Sequence, residues 1–249
     1  MKKWHSYLIM LLIVQLFFSF SSLKSKELNF TFSTSNQKWV GDFADYDVGQ
    51  EAFFELAWGW SNIPVNLPVE DQPKGMFLSG NNHSDSLFMF IKRQIEGLKP
   101  HTTYSLTFFV TIQDNIPPGQ MGIGGSPGES VTFKVGASKK EPKKVAKCSF
   151  YNLNVDKGSQ SEGGKNAIAI GSLANPLVNP LDPQYEPKSF VNETPLKVKT
   201  DNKGRLWLFV GTNSGFEGST LYYISHISII AKPAADHCRY FFCFPFKHE

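Results

Sequence analysis

The sequence predicts an all-β protein, an antiparallel β-sandwich. Short β-rich or alternating runs recur along the chain, each bounded by Gly, Pro, Asn or Asp, and helix signals are nearly absent after the N-terminal segment. The 22 Phe residues suit a thick core between two sheets. This spacing favours a sandwich over β-α-β units. The predicted strands are 28–34, 51–58, 75–79, 86–93, 102–112, 130–136, 148–155, 166–171, 195–200, 205–211 and 220–231.

One predicted strand has two apolar faces. The run SLFMFIKRQI places Leu87, Met89 and Ile91 on one face and Phe88 and Phe90 on the other, since side chains alternate along a strand. This pattern predicts a central strand that is covered on both sides. By contrast, the Pro-rich stretch 172–194 predicts an irregular surface loop.

The N-terminus predicts export. Residues 1–25 resemble a signal peptide, with Lys2 and Lys3 before an apolar run from Leu8 to Phe18. This run is shorter than the roughly 20 residues that a membrane span needs, although a retained anchor is the alternative. No second apolar run of spanning length follows. We therefore expect residues 26–233 to form a single β-sandwich domain that is secreted, periplasmic or on the cell surface.

Charge and cysteine content exclude several classes. The formal net charge is +3, and neither an Arg-rich helix nor a basic–aromatic alternation occurs, so nucleic acid is not an expected partner. The Lys-rich segment 139–147 is interpreted as a solvated linker. In the aromatic tail 234–249, Cys238 and Cys243 are close enough in sequence to form a disulfide after export, which leaves Cys148 over. No Cys/His spacing predicts zinc.

Four connections are rich in Gly and in hydrogen-bonding side chains: 79–85, 121–130, 154–166 and 210–220. Function tends to lie on loops that a rigid scaffold holds, and amides offer both donors and acceptors to a ligand. The alternative is that these residues only shape turns. The predicted ligand-binding residues are Asn81, Asn82, His83, Asp85, Glu129, Asp156 and Glu217.

The segment GDFADYDVGQE places Asp42, Asp45 and Asp47 close together, with Glu51 after them. Calcium takes six to eight oxygen ligands, and clustered carboxylates repel one another unless a cation relieves them. Asp42, Asp45 and Asp47 are therefore the candidate ligands of a structural calcium ion. A solvated turn with Asx capping is the favoured interpretation of the segment.

A catalytic alternative exists. GGSPG matches a hydrolase nucleophile pattern at Ser126, but a β-rich run follows it in place of the helix that the motif requires. The loop carboxylates with His83 would instead suit a glycosidase or esterase if two of them approach each other. Trp58 and Trp60 lie on one side of a strand and would form a sugar platform if exposed.

Two stretches resemble a known fold family. GLKPHTTYSLTFFV (97–110) and STLYYISHISII (219–230) resemble strands of galactose-binding-like jelly rolls and other carbohydrate-binding sandwiches, although Ser225 and His226 stand where such modules often carry acids. The segments GDFADYD, SGNNHSDSLFMF, GIGGSPGESV, DKGSQ and NSGFEG also resemble a group of uncharacterised secreted bacterial proteins. The first resemblance implies a jelly roll and sugar binding; the second implies no activity.

The sequence therefore predicts an exported, non-catalytic protein that recognises carbohydrate through polar loops at one rim of a jelly-roll sandwich. A secreted hydrolase and a structural or adhesive surface protein are the alternatives. The binding prediction requires the four loops to meet at the same end of the sandwich.

Overall fold

A computed structural model describes residues 24–234, and it confirms the predicted all-β antiparallel fold. The predicted signal peptide before Lys24, as well as Cys238 and Cys243, lies outside the described residues. A short 3-10 helix spans Val69–Asp71. The strands are Lys26–Thr31 (β1), Val40–Ala44 (β2), Tyr46–Asp47 (β3), Ala57–Asn62 (β4), Lys74–Asn81 (β5), Phe88–Ile95 (β6), Thr103–Asp114 (β7), Val131–Ser138 (β8), Lys144–Lys147 (β9), Phe150–Leu153 (β10), Ala167–Ser172 (β11), Glu186–Val191 (β12), Leu196–Lys199 (β13), Leu206–Ser214 (β14) and Ser219–Pro233 (β15).

The strand order is that of a jelly roll. One sheet has the order β12-β7-β15-β5-β4, with β1 beside β15 and β13 beside β7, and the other has the order β11-β8-β14-β6-β2. Strands β5, β6, β7 and β8 alternate between the sheets, and the late strands β14 and β15 insert between them. This double Greek-key winding is the jelly-roll connectivity.

The main core lies between the two sheets. Every second residue of β7 points inward, and β15 keeps the same two-residue period on each side of a β-bulge at Ser225. Phe108 and Ile229 are fully buried there, and they pack with Phe133, Leu208 and Tyr222 in one apolar cluster. Burial of such side chains stabilises the fold by about 1.5–3 kcal/mol each.

The outer face of the five-stranded sheet is also covered, as the two apolar faces of its strand β6 predict. Phe88, Phe90 and Phe209 form a second buried cluster on this face. The segment 144–166 lies over them, with Val155 in contact with the cluster. It contains β9 and β10, which form a small three-stranded sheet with β3.

Three sequence-based assignments were wrong. Segment 139–147 is not a linker throughout, because β9 at its end pairs with β10. Residues 51–55 form a turn where a strand was predicted, and the strand starts at Ala57. The Pro-rich stretch 172–194 includes strand β12, in which the ring of Pro187 is tolerated at the sheet edge. Within residues 24–234, no helix is long and apolar enough to cross a membrane.

Candidate binding site at the loop rim

Three of the four polar loops meet at one end of the sandwich, and the fourth, 154–166, reaches that end only in part. Strand β5 ends there at Asn81, β14 ends at Ser214, and β8 begins at Val131. We define the loop rim as segments 79–85, 121–130 and 210–220, together with Gln160 of the 154–166 loop. The requirement that the loops share one end is therefore met by three of the four loops.

Backbone hydrogen bonds join the 121–130 loop to the turn between β14 and β15. The N–H of Gly215 donates to the carbonyl of Ser130 at 2.8 Å, and the N–H of Glu217 donates to the carbonyl of Ile123 at 2.8 Å. A Cβ on Gly124 would lie 2.5 Å from the Gly215 carbonyl oxygen. Only glycine allows such a close approach, and its positive φ of 70° is also a glycine conformation.

Asn82 connects the 79–85 loop to the same turn. Its side chain is 1% exposed, and its Nδ2 donates to the carbonyls of Ser214 at 3.0 Å and Phe216 at 2.8 Å. Its Oδ1 accepts from the N–H of Ser84 at 3.1 Å. The amide is thus used fully inside the protein, so Asn82 supports the rim from within.

His83 is exposed at the rim and stacks on a neighbouring aromatic ring. This ring belongs to Phe53, and the two ring centroids are 4.1 Å apart with the planes at 21°. Phe53 is itself 57% exposed, whereas Phe54 is buried and meets the His83 ring edge-on at 5.4 Å. The sequence did not single out Phe53, because the stack joins a turn at 51–55 to a loop about thirty residues away.

Polar groups flank this aromatic pair. Asn81 Nδ2 donates to Glu55 Oε1 at 3.3 Å on one side. On the other side Asp85 is exposed, and its carbonyl and its carboxylate accept from Gln160 Nε2, the latter at 3.3 Å. Gln160 and Lys157 are the contacts through which the 154–166 loop reaches the rim, since Lys157 Nζ donates to Asn213 Oδ1 at 2.6 Å.

Glu129 and Ser126 form a self-contained turn. The Ser126 hydroxyl donates to Glu129 Oε2 and accepts from the N–H of Glu129 at 3.2 Å, while the N–H of Gly119 donates to Glu129 Oε1 at 2.8 Å. These bonds from Ser126 and Gly119 lower the pKa of Glu129. Ser126 is therefore a turn cap, and strand β8 follows it where the nucleophile motif requires a helix.

The far side of the rim is more apolar. Glu217 is exposed beside Gly124, and Met121 and Ile123 of the facing loop are 97% and 72% exposed. Phe216 packs beneath Gly122 and joins the main core. The rim thus combines exposed carboxylates with exposed apolar side chains.

Asp156 lies away from the rim. The 154–166 loop runs along β8, so that Asn166 bonds to Ala137 near the far end of that strand, and Asp156 is bonded to Asn166. The N–H groups of Lys165 and Gly158 donate to the Asp156 carboxylate, each at 3.0 Å, and lower its pKa. The structure therefore separates Asp156 from the other predicted contacts.

The acidic segment contacts lysines. Asp42 Oδ2 lies 3.0 Å from Lys92 Nζ, and Asp45 Oδ2 lies 2.8 Å from Lys157 Nζ, with all four side chains largely buried. Asp47 is exposed on β3 and makes no ion pair within residues 24–234. In the same residues, no group of three or more His, Cys, Asp or Glu side chains is arranged to hold a metal ion. Calcium at this segment stays a prediction.

Lys134 is a buried cation that the sequence analysis missed. It is fully buried on the outer face of β8, and its Nζ donates to the carbonyls of Lys157 at 3.1 Å, Glu162 at 2.9 Å and Ser159. Burial lowers the pKa of Lys134 to about 8, and repulsion from Lys157 acts in the same direction. A lysine between apolar residues in VTFKVGA was the available signal. Lys134 fixes the 154–166 loop.

The two tryptophans of β4 do not form a shared platform. Trp58 is 40% exposed and packs over Gly41, where a Cβ would collide with its ring. Trp60 is half-buried, and its Nε1 donates to the carbonyl of Phe32 at 2.6 Å. Both side chains close the edge of the sandwich.

Comparison with known proteins does not name a family. No family model and no curated protein matches this chain. Among solved structures, the K1 adhesin domain of Lys-gingipain from Porphyromonas gingivalis W83 is 11% identical; the match covers 82% of this chain and 97% of that chain, with a TM-score of 0.37.

Two further structures have different functions from each other. TmCBM61 in complex with β-1,4-galactotriose is 9% identical over 78% of this chain and 88% of that one, with a TM-score of 0.35. A Stig cyclase from Fischerella sp. TAU is 13% identical over 79% and 85%, with a TM-score of 0.36. Scores at this level carry no assignment of function to this chain.

Proposed function

We propose that this chain is an exported, non-catalytic protein that binds carbohydrate at the loop rim. The observation that carries the proposal is the exposed stack of His83 on Phe53, at the point where loops from distant parts of the chain meet. Export rests on the signal-like segment at residues 1–25.

The chemistry of the stack favours a sugar ring. The apolar C–H face of a sugar ring packs on an exposed aromatic face without burying many polar groups. Polar side chains at the edge of the aromatic ring then form hydrogen bonds with the sugar hydroxyls. Asp85 and the Asn81–Glu55 pair supply such groups next to the stack. The hydrogen bonds between loops hold this surface in place, which reduces the entropy that binding would cost.

The rim offers less support for a hydrolase. A glycosidase needs one carboxylic acid with a raised pKa to protonate the leaving group. The rim carboxylates Glu129 and Glu217 are exposed, and hydrogen bonds lower the pKa of Glu129. Ser126 uses its hydroxyl to cap a turn.

A glycan array followed by calorimetry on the mature chain tests the proposal. We expect at least one glycan to bind, and we expect the double variant Phe53→Ala/His83→Ala to weaken that binding by roughly tenfold or more, as loss of an aromatic stack does. Phe109→Ala is the matched control, because Phe109 is 40% exposed but lies on the outer face of the seven-stranded sheet. Absence of any glycan binding, or equal affinity of the rim variant and the parent, would contradict the proposal.

The same titration in calcium chloride and in EDTA tests for the predicted metal. A calcium ion at the acidic segment has to displace Lys92 from Asp42 and Lys157 from Asp45. Calorimetric heat from calcium in the parent, absent from the variant Asp42→Asn/Asp47→Asn, would support the site. If calcium produced no heat with the parent protein, the predicted calcium site would be wrong.

A further inference from the structure

We infer that a second site, a lysine-lined groove on the side of the sandwich, binds an acidic polysaccharide. The groove has a volume of about 510 Å³, within the range of roughly 300–1,000 Å³ that is typical of ligand sites. We call it the lysine groove. Its cationic side chains are Lys139, Lys140, Lys165, Lys197 and Lys199.

These five lysines come from three separate parts of the chain. Lys139 and Lys140 follow β8, Lys165 lies on the 154–166 loop, and Lys197 and Lys199 lie on β13 of the other sheet. All five side chains are exposed. The fold therefore gathers positive charge that is spread over about sixty residues of sequence.

None of these ammonium groups has an acidic partner within residues 24–234. Two other lysines behave differently, since Lys92 of β6 and Lys157 of the 154–166 loop both form ion pairs. Asp156 is the only acid in the described part of the chain that lines the groove, and its two oxygens accept the N–H groups of Gly158 and Lys165. Like charges around one groove repel one another, and an anionic ligand removes that cost.

The groove is formed before any ligand arrives. Asn154 accepts from the N–H of Lys143 at 3.0 Å and donates to the carbonyl of Glu141 at 2.9 Å. Asn166 donates to the carbonyl of Ala137 at 3.3 Å on the other side. Val155 and Val198, 8% and 9% exposed, are its apolar lining. Hydrogen bonds therefore hold the base of the groove, and the five exposed lysine side chains line it.

The pattern fits carboxylate or sulfate groups spaced along a sugar chain. Lysine is a compact charge on a flexible stem and tolerates variable spacing, whereas bidentate recognition of one phosphate favours arginine. Nucleic-acid channels combine basic residues with aromatic side chains on which bases stack. Among the residues that the structure describes, no aromatic residue and no arginine lines this groove. An acidic polysaccharide is therefore favoured over a nucleic acid.

Lys197 and Lys199 also have a purely structural explanation. Strand β13 pairs only with β7, and lysines on an edge strand oppose edge-to-edge aggregation. That role predicts loss of solubility when the lysines are removed, without any change in ligand binding. It does not account for Lys139, Lys140 and Lys165, which lie outside β13.

Binding of polygalacturonate to the mature chain tests the inference, with fully methyl-esterified polygalacturonate as the uncharged form of the same backbone. We expect the charged form alone to bind at the groove, with an affinity that falls steeply as sodium chloride is raised. The variants Lys197→Gln/Lys199→Gln and Lys139→Gln/Lys140→Gln should each weaken binding by roughly tenfold, since a lysine at an anionic surface contributes measurably to affinity.

The control is Lys147→Gln/Lys203→Gln, which removes the same charge at exposed positions outside the groove and should leave affinity unchanged. If the control lost as much affinity as the groove variants, the effect would come from net charge alone and the proposed site would be wrong. Tighter binding of a double-stranded DNA oligonucleotide than of polygalacturonate or heparin would also contradict the inference. The rim variant Phe53→Ala/His83→Ala should bind polygalacturonate like the parent. The proposal for the lysine groove and the proposal for the loop rim can therefore be confirmed or contradicted independently.

Discussion

At the scale of single residues, Asp114 is the buried carboxyl with the most unusual surroundings. It is fully buried at the end of β7, and its Oδ1 accepts from the N–H of Ile116 at 3.1 Å. Its Oδ2 is buried without a hydrogen-bond partner among residues 24–234. Burial raises the pKa of Asp114 to about 6, although the nearby Lys188 opposes the shift.

The raised pKa predicts how stability depends on pH. The folded protein binds more protons at Asp114 than the unfolded chain between pH 3.8 and about 6, so stability falls as the pH rises through this window. We expect Asp114→Asn to raise the free energy of unfolding by about 2 kcal/mol at pH 7 and to leave it nearly unchanged near pH 4. Urea unfolding at both values measures this.

Asp156→Asn is a control with the opposite sign. Backbone N–H groups of Lys165 and Gly158 lower the pKa of Asp156, so its contribution is present at neutral pH and is lost as the pH falls below the range of a free carboxyl. A gain in stability from Asp114→Asn that is the same at pH 4 and pH 7 would contradict the assignment of the effect to ionisation.

Individual roles within the rim were harder to predict than its position. Asn82 and His83 are neighbours in a loop that was predicted to bind ligand. Asn82 is buried with its amide saturated, whereas His83 is exposed on Phe53. Residue type does not distinguish these roles. Asn82 is buried because the β14–β15 turn places two backbone carbonyls within hydrogen-bonding distance of its amide, and the sequence alone does not give that distance.

At the scale of elements, long strands were predictable and short ones were not. Strand β7 alternates regularly over twelve residues, and β6 begins with a continuous apolar run that is typical of a strand covered on both faces. Strand β9 is four residues with two lysines, and β12 contains Pro187, so neither gives a hydrophobic pattern. The cover over β6 was predictable because both of its faces are apolar.

The cover segment depends on a buried cation, and this gives an element-scale prediction. Lys134→Met removes the donor that three carbonyls of the 154–166 loop share, while the apolar stem is kept. Buried polar groups without partners are costly, so we expect a loss of about 2–4 kcal/mol in unfolding free energy and faster proteolysis within the loop. Lys147→Met on the exposed side of the same cover is the control. Equal stability of the two variants would show that Lys134 does not hold the loop.

At the scale of the whole molecule, the jelly-roll winding explains why the loops meet. The ends of β5 and β14 and the starts of β8 and β15 lie at the same end of the sandwich, so the loops that join them converge. The resemblance of segments 97–110 and 219–230 to jelly-roll strands made this predictable. The 154–166 loop is the exception. Because it lies along β8 as a cover, it carries Asp156 toward the lysine groove and brings Gln160 and Lys157 to the rim.

The same winding places β15 between β5 and β7 in the seven-stranded sheet. The side chains of β15 therefore contribute to both the inner and the outer face of this sheet. Adjacent isoleucines of this strand separate the two surfaces. Ile229 is fully buried opposite Phe108, whereas Ile230 is half-buried on the outer face beside Thr107. We expect Ile229→Ala to lower the unfolding free energy by about 2–5 kcal/mol, because it leaves a cavity between the sheets. Ile230→Ala should cost about 1 kcal/mol. Chemical denaturation of both variants measures the difference, and equal costs would mean that the main core is not the layer between the two sheets.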